Sequence, residues 1–205
     1  MVRTKPSKWD RKCSAPKNEE QVKMWNDGLN FVSQFKDNIK EVHIQNDGLN
    51  LYGEYVDVGA DRCVILLGGR CECLYYAYYY AKPYLENNCN VLVIDQRAHG
   101  KSDGKINTVG FNECNDIIKW AEYIHDTFNL KEIYLHGTCI GAATSIHALA
   151  KDYCPKYITK LYENLARYTQ PALDSLFKLK EKIKEVFAKE TTDISKSQFS
   201  NSSVG

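Results

Sequence analysis

The chain lacks an excess of charge of either sign. Its 205 residues carry 27 Lys and Arg against 26 Asp and Glu, and a net charge of +1 gives no reason to expect nucleic acid or an anionic membrane as the main partner. With 43% hydrophobic and 26% charged residues, close to globular averages, neither disorder nor a membrane span is indicated for the bulk of it. The N-terminal stretch holding Arg3, Lys5, Lys8, Arg11 and Lys12 lacks an apolar core, so it does not read as a secretory signal, and 1–17 is expected to be a flexible basic arm. The 8 cysteines would suit a disulfide framework in a small secreted chain; without an export signal, free thiols in a reducing cytoplasm are expected. Cys71 and Cys73 form a CxC without a second Cys/His pair at zinc-finger spacing nearby, so no metal is expected. No internal repeat stands out.

What is present reads as one domain with a buried sheet. Residues 18–40 place Val22, Trp25, Leu29, Val32 and Phe35 at three- and four-residue intervals, the mark of an amphipathic helix, which Gly28 weakens. Residues 41–44 and 49–58 read as strands joined at Asn46-Asp47-Gly48, because Asp-Gly tolerates positive φ. Cys63-Val64-Ile65-Leu66-Leu67 is a continuous apolar run closed by Gly68-Gly69, as in a strand buried on both faces. A tyrosine-rich helix over 73–86 follows, its rings forming a core face and rim, then a buried strand at 90–95 and a helix over 109–127. A hairpin followed by alternating strands and helices implies a mostly parallel sheet of about six strands, with helices on both faces.

The most informative stretch is 132–150. Residues 132–136 alternate as a short strand, Gly137-Thr138-Cys139-Ile140-Gly141 is a glycine-bracketed turn, and Ala142, Ala143, Ser145 and Ala148 supply a small-residue helix face. A strand turning sharply into a helix, with a nucleophilic side chain at the apex and glycine two positions away on each side, is the nucleophile elbow. Larger side chains at Gly137 and Gly141 would collide with the neighbouring strand or helix. The apex residue is Cys139, where serine is more usual; at a helix N-terminus, free N–H groups and the dipole favour an anionic sulfur.

Three segments stand in order: the strand ending in Gly68-Gly69-Arg70, the strand running into Asp95-Gln96-Arg97-Ala98-His99-Gly100-Lys101-Ser102, and the elbow. In these the chain resembles the α/β-hydrolase family, in the branch of monoacylglycerol lipases and prolyl aminopeptidases, over roughly 41–151. The resemblance implies hydrolysis of an ester or amide bond in a small acyl substrate, through a covalent intermediate on Cys139 and without a cofactor. It assigns the oxyanion hole to the main-chain amides of Arg70 and Ile140. It makes the loop 95–102 architectural. Gly68 stands where the family commonly has histidine, and Ala98 where it has glycine, so a less sharply bent loop is expected there.

The family supplies an acid and then a histidine after the nucleophile, and here the only histidine after Cys139 is His147. Eight residues along one helix puts it about 12 Å away, too far for a hydrogen bond. His99 and His136 are the candidates for a substitute base. Residues 157–169 and 171–190 read as helices, with Ile158, Leu161, Leu165 and Tyr168 at heptad-like spacing in the first. The domain is therefore expected to end at 155, with C-terminal helices at 156–190, a disordered tail at 191–205, and the family's last three strands missing. Two other readings follow: a non-catalytic binding or assembly protein, homodimeric through those helices or an exposed sheet edge beside the elbow strand, or a fragment of a longer hydrolase.

Overall fold

Short apolar runs rich in β-branched residues build the centre of the molecule. The computed structural model describes residues 2, 3, 13 and 15–164, with the side chains of 2, 3 and 162–164 left aside. Its strands are β1 (Val2–Arg3), β2 (Ile39–Asn46), β3 (Leu49–Val56), β4 (Arg62–Leu67), β5 (Asn90–Ile94), β6 (Ile106–Asn107), β7 (Glu132–Thr138) and β8 (Ile158–Asn164). The helices are α1 (Glu19–Gln34), α2 (Leu74–Tyr78), α3 (Ala81–Glu86), α4 (Glu113–Phe128) and α5 (Ile140–Leu149). Six strands form one sheet in the order β2-β3-β5-β4-β7-β8. The β2–β3 and β3–β5 ladders are antiparallel; β5–β4, β4–β7 and β7–β8 are parallel. Within the segment expected to be a free arm, Val2 and Arg3 pair antiparallel with Asn107 and Ile106.

Alternation along each strand divides the core in two. Cys63, Ile65 and Leu67 of β4 face Ile117, Trp120 and Ile124 of α4 and Ala148 of α5. Val64 and Leu66 face Phe31 of α1, Leu74, Ala77 and Tyr78 of α2, and Ala81 of α3. The tyrosines are core residues: Tyr76 and Tyr78 are buried, and Tyr78 Oη donates to the buried Glu54 at 2.7 Å. The single helix expected over 73–86 is two short ones, broken at Tyr79-Tyr80.

At the hairpin, Asp47 and Gly48 take φ of 50° and 72°, the two-residue turn that Asp-Gly favours. Gly28 does not interrupt α1. A Cβ there would run into the main-chain carbonyl of Tyr75, so the glycine lets α1 lie directly on α2, where Trp25 packs 5.4 Å from Tyr75 and 5.3 Å from Tyr76.

The helix expected from 157 is overturned where the chain is described: 158–164 is β8, parallel to β7. The apolar interval misleads because the ladder is irregular. Ile133 pairs with Ile158, but the next partners are Tyr134 with Lys160 and Leu135 with Leu161, so Thr159 is an extra residue. The bulge puts Ile158 and Leu161, three apart, on one face of the sheet against the same core. A strand thereby acquires the spacing of a helix. One strand expected to be missing is present, the domain boundary drawn at 155 moves past it, and the elbow strand is not at the edge. The remainder of the helices expected over 156–190, and the tail at 191–205, lie outside the described residues.

Candidate functional site

The parallel strands β4 and β7 end side by side, and the turn from β7 into α5 rises between them. Cys139 occupies that turn at φ 52° and ψ −114°, a conformation L-residues avoid, and it is exposed. Glycine on each side makes the geometry accessible. A Cβ on Gly137 would overlap the main chain of Gly141 and Ala142, and one on Gly141 would stand 2.6 Å from Leu67 O and 2.8 Å from Gly68 O. The first turn of α5 thus rests on the end of β4. The loop after β4 also passes against the cysteine: a Cβ on Gly69 would lie 3.3 Å from Cys139 Cβ. Arg70 is exposed and Ile140 buried, and among the described residues neither main-chain N–H donates to a protein group.

Side chains behind the turn hold it. Gln96 Nε2 donates to Gly68 O at 2.8 Å, while Gln96 Oε1 lies 3.2 Å from Thr144 Oγ1 on α5, so one amide ties the ends of β4 and β5 to the helix. Ser145 Oγ donates to Gly141 O at 2.9 Å. Beneath, Asp95 accepts from Leu74 N and Lys101 N at 2.8 Å each, and Ser102 Oγ donates to Asp95 O at 2.6 Å. Ala98 does not ease the bend of this loop as expected: it adopts φ 63°, keeping a glycine-like turn at a cost of roughly 1 kcal/mol. Its N–H bonds Asp103 O at 2.8 Å, which fixes the turn.

None of the five histidines hydrogen-bonds Cys139 among the described residues. His99 is fully buried, with Nδ1 3.0 Å from Arg97 O, so its ring has no surface to offer a substrate. His136 Nδ1 lies 3.0 Å from Tyr84 Oη, and the ring packs 4.6 Å from Tyr80. His147 is exposed on α5; His43 and His125 are engaged with Asn50 and Asp126. Burial lowers the pKa of His99 and of His136 from 6.5 to about 4. In each case the unfolded chain takes up the proton first as pH falls. Stability is therefore complete above about pH 6.5 and declines towards pH 4, by up to about 3 kcal/mol for the fully buried ring. Urea midpoints measured between pH 7 and pH 4.5 are expected to fall, and to fall less steeply in His99→Asn; equal slopes would show that the ring does not set the dependence.

One residue at the turn was passed over in the sequence. Glu72 sits between the exposed Cys71 and the buried Cys73, a spacing that draws the eye to the thiols. Its carboxylate accepts from Gly69 N, and the side chains of Gln21 and Thr138 favour its charged form. Burial raises its pKa above the usual carboxylate value, opposed in part by those three groups. A carboxylate shortly after a strand-ending Gly-Gly was the clue available. All eight cysteines are unbridged. Among the described residues no group of three or more His, Cys, Asp or Glu could hold a metal ion, and no helix is long and apolar enough to cross a membrane.

A mixed, mostly parallel sheet with helices on both faces and a strained strand-to-helix turn at the end of β7 defines the class. Residues 62–176, more than half of the chain, match the family model described as alpha/beta hydrolase fold, and the chain belongs to that family. It is 34% identical over 68 residues to the uncharacterized protein YqkD of Bacillus subtilis (strain 168), which covers 33% of this chain and 22% of that one. It matches the structure of the Pyrococcus furiosus esterase Pf2001 with a TM-score of 0.52 and 32% identity, over 58% of this chain and 50% of that one. The α/β hydrolase GrgF from Penicillium sp. sh18 matches with a TM-score of 0.54 at 22% identity, over 61% and 45%, a likeness of fold alone. The chain thus spans half or less of the length of these proteins.

Proposed function

We propose that this chain carries an acyl-hydrolase site in which Cys139, at the apex of a nucleophile elbow, attacks the carbonyl of an ester or amide and forms a thioester. The observation that carries the reading is an exposed cysteine at φ 52° and ψ −114° between strand and helix, a strained placement whose function is to present one side chain. The main-chain N–H groups of Arg70 and Ile140 hold the oxyanion, each worth about 3 kcal/mol in the transition state. Their lack of protein partners among the described residues supports this. The loop 95–102 supports a place in the branch of monoacylglycerol lipases and prolyl aminopeptidases, and the likeness to an esterase supports a carboxylic ester as substrate. Eight unbridged thiols favour a reducing cytoplasm.

The protein is expected to hydrolyse a short-chain p-nitrophenyl ester, and Cys139→Ala to bring that rate to the buffer level with an unchanged thermal midpoint. Turnover retained in Cys139→Ala, or none in the parent, would sink the reading. That no histidine hydrogen-bonds Cys139 among the described residues favours a second one, a hydrolase-like protein that binds or assembles, through a sheet edge or residues 156–190, and shows neither activity nor its loss.

A further inference from the structure

We propose that Glu72 is the proton acceptor for Cys139 and takes the place of a catalytic histidine. This rests on the acyl-hydrolase reading and supplies the base that reading leaves open. The geometry starts from Gly69. A Cβ built there would stand 2.8 Å from Glu72 Oε2 and 3.3 Å from Cys139 Cβ, so carboxylate and cysteine both lie against this one glycine. A side chain at that position would meet both groups.

The carboxylate is brought back to that point by the chain itself. Cys71 takes φ 64° and Glu72 N donates to Gly69 O at 3.3 Å, closing a tight turn over residues 69–72. The Gly69 N–H after β4 then holds the carboxyl group, and the side chains of Gln21 on α1 and Thr138 at the end of β7 favour its charged form. A half-buried carboxylate is a stronger base than an exposed one, which moves it towards the range a proton acceptor needs at neutral pH.

The steps balance. The Cys139 S–H proton passes to the Glu72 carboxylate as sulfur bonds the acyl carbon, and the carbonyl oxygen becomes the oxyanion facing Arg70 N and Ile140 N. Collapse breaks the bond to the leaving alkoxide, which takes the proton from the Glu72 carboxylic acid. Water then gives a proton to the regenerated carboxylate as it attacks the thioester. The second collapse releases the acid and the sulfur, which recovers that proton.

Glu72→Gln separates this role from a structural one, because the amide oxygen still accepts from Gly69 N. The whole protein and the variant are compared in p-nitrophenyl ester turnover, in the rate of Cys139 alkylation by iodoacetamide read by peptide mass, and in thermal midpoint. Turnover is expected to fall about 100-fold or more, the range of a general base, and alkylation at neutral pH to fall with it, since both send the S–H proton to Glu72, while the midpoint stays within a few degrees. Undiminished turnover in Glu72→Gln, with Cys139→Ala inactive, overturns the role of Glu72 and leaves the nucleophile in place. A loss of alkylation that persists above about pH 10, where the thiol ionises without a base, also overturns it, since Glu72 then shapes the cysteine. An inactive parent protein removes the acyl-hydrolase reading, and this proposal falls with it.

Discussion

Alanine at Gly137 is expected to destabilise the protein by about 3 kcal/mol or more, the upper range for forcing atoms into a packed interior. The three atoms nearest the added methyl are main chain, of Gly141 and Ala142, which cannot swing aside as a side chain could. Relief requires α5 to lift from β7, which separates Ala148 from the core it shares with Ile65 and Leu135. Gly141→Ala should behave alike, since its methyl meets Leu67 O and Gly68 O. The contrast is Gly48→Ala in the hairpin turn, where φ is +72° and nothing lies within 4 Å. That variant incurs only the conformational term, roughly 1 kcal/mol. Urea unfolding of the three variants separates overlap from backbone strain; equal losses at Gly48 and Gly137 would mean that the turn is not tightly packed.

The second large effect is expected at Asp116. Arg97, 7% exposed, donates from Nε and Nη2 to the two carboxylate oxygens of Asp116 at 2.6 Å each, and Asn46 Nδ2 donates to Asp116 at 2.7 Å. The same guanidinium reaches Asp47 at 2.9 Å, but that carboxylate is 57% exposed. These hydrogen bonds, Asp116 first, hold the guanidinium charged. Asp116→Ala leaves a buried cation with one solvent-screened partner and should cost about 3 to 5 kcal/mol. Asp47→Ala should cost under about 1 kcal/mol. Pairing Asp116→Leu with Arg97→Met should recover much of the loss, because two well-packed apolar side chains replace two desolvated charges. A loss at Asp116 no larger than at Asp47, read from urea midpoints, would show that water reaches the pair.

This ion pair explains why the motif around Arg97 and His99 is architecture. It joins the end of β5 to α4 and to the hairpin turn, and the buried His99 bonds the carbonyl of Arg97. The resemblance to the family had implied that role for the loop 95–102. Which carboxylate Arg97 meets was not legible, since Asp47 and Asp116 are distant in sequence and only one of them is buried.

Local chemistry written into the sequence was sufficient for the central strands, the Asp-Gly hairpin, and the turn at Cys139, since side-chain period and glycine placement act over a few residues. It was insufficient wherever the deciding partner is remote. A one-residue bulge against β7 made 158–164 a strand despite its helical spacing. The carbonyl of Tyr75 turned Gly28 from a helix weakness into a packing device, and contacts with Asp103 held Ala98 in a glycine-like bend. Glu72 became a site residue only when the closing of its turn set it beside Cys139. Dihedral preferences belong to neighbouring residues, whereas close approach and the meeting of charges belong to segments that only the folded chain brings together.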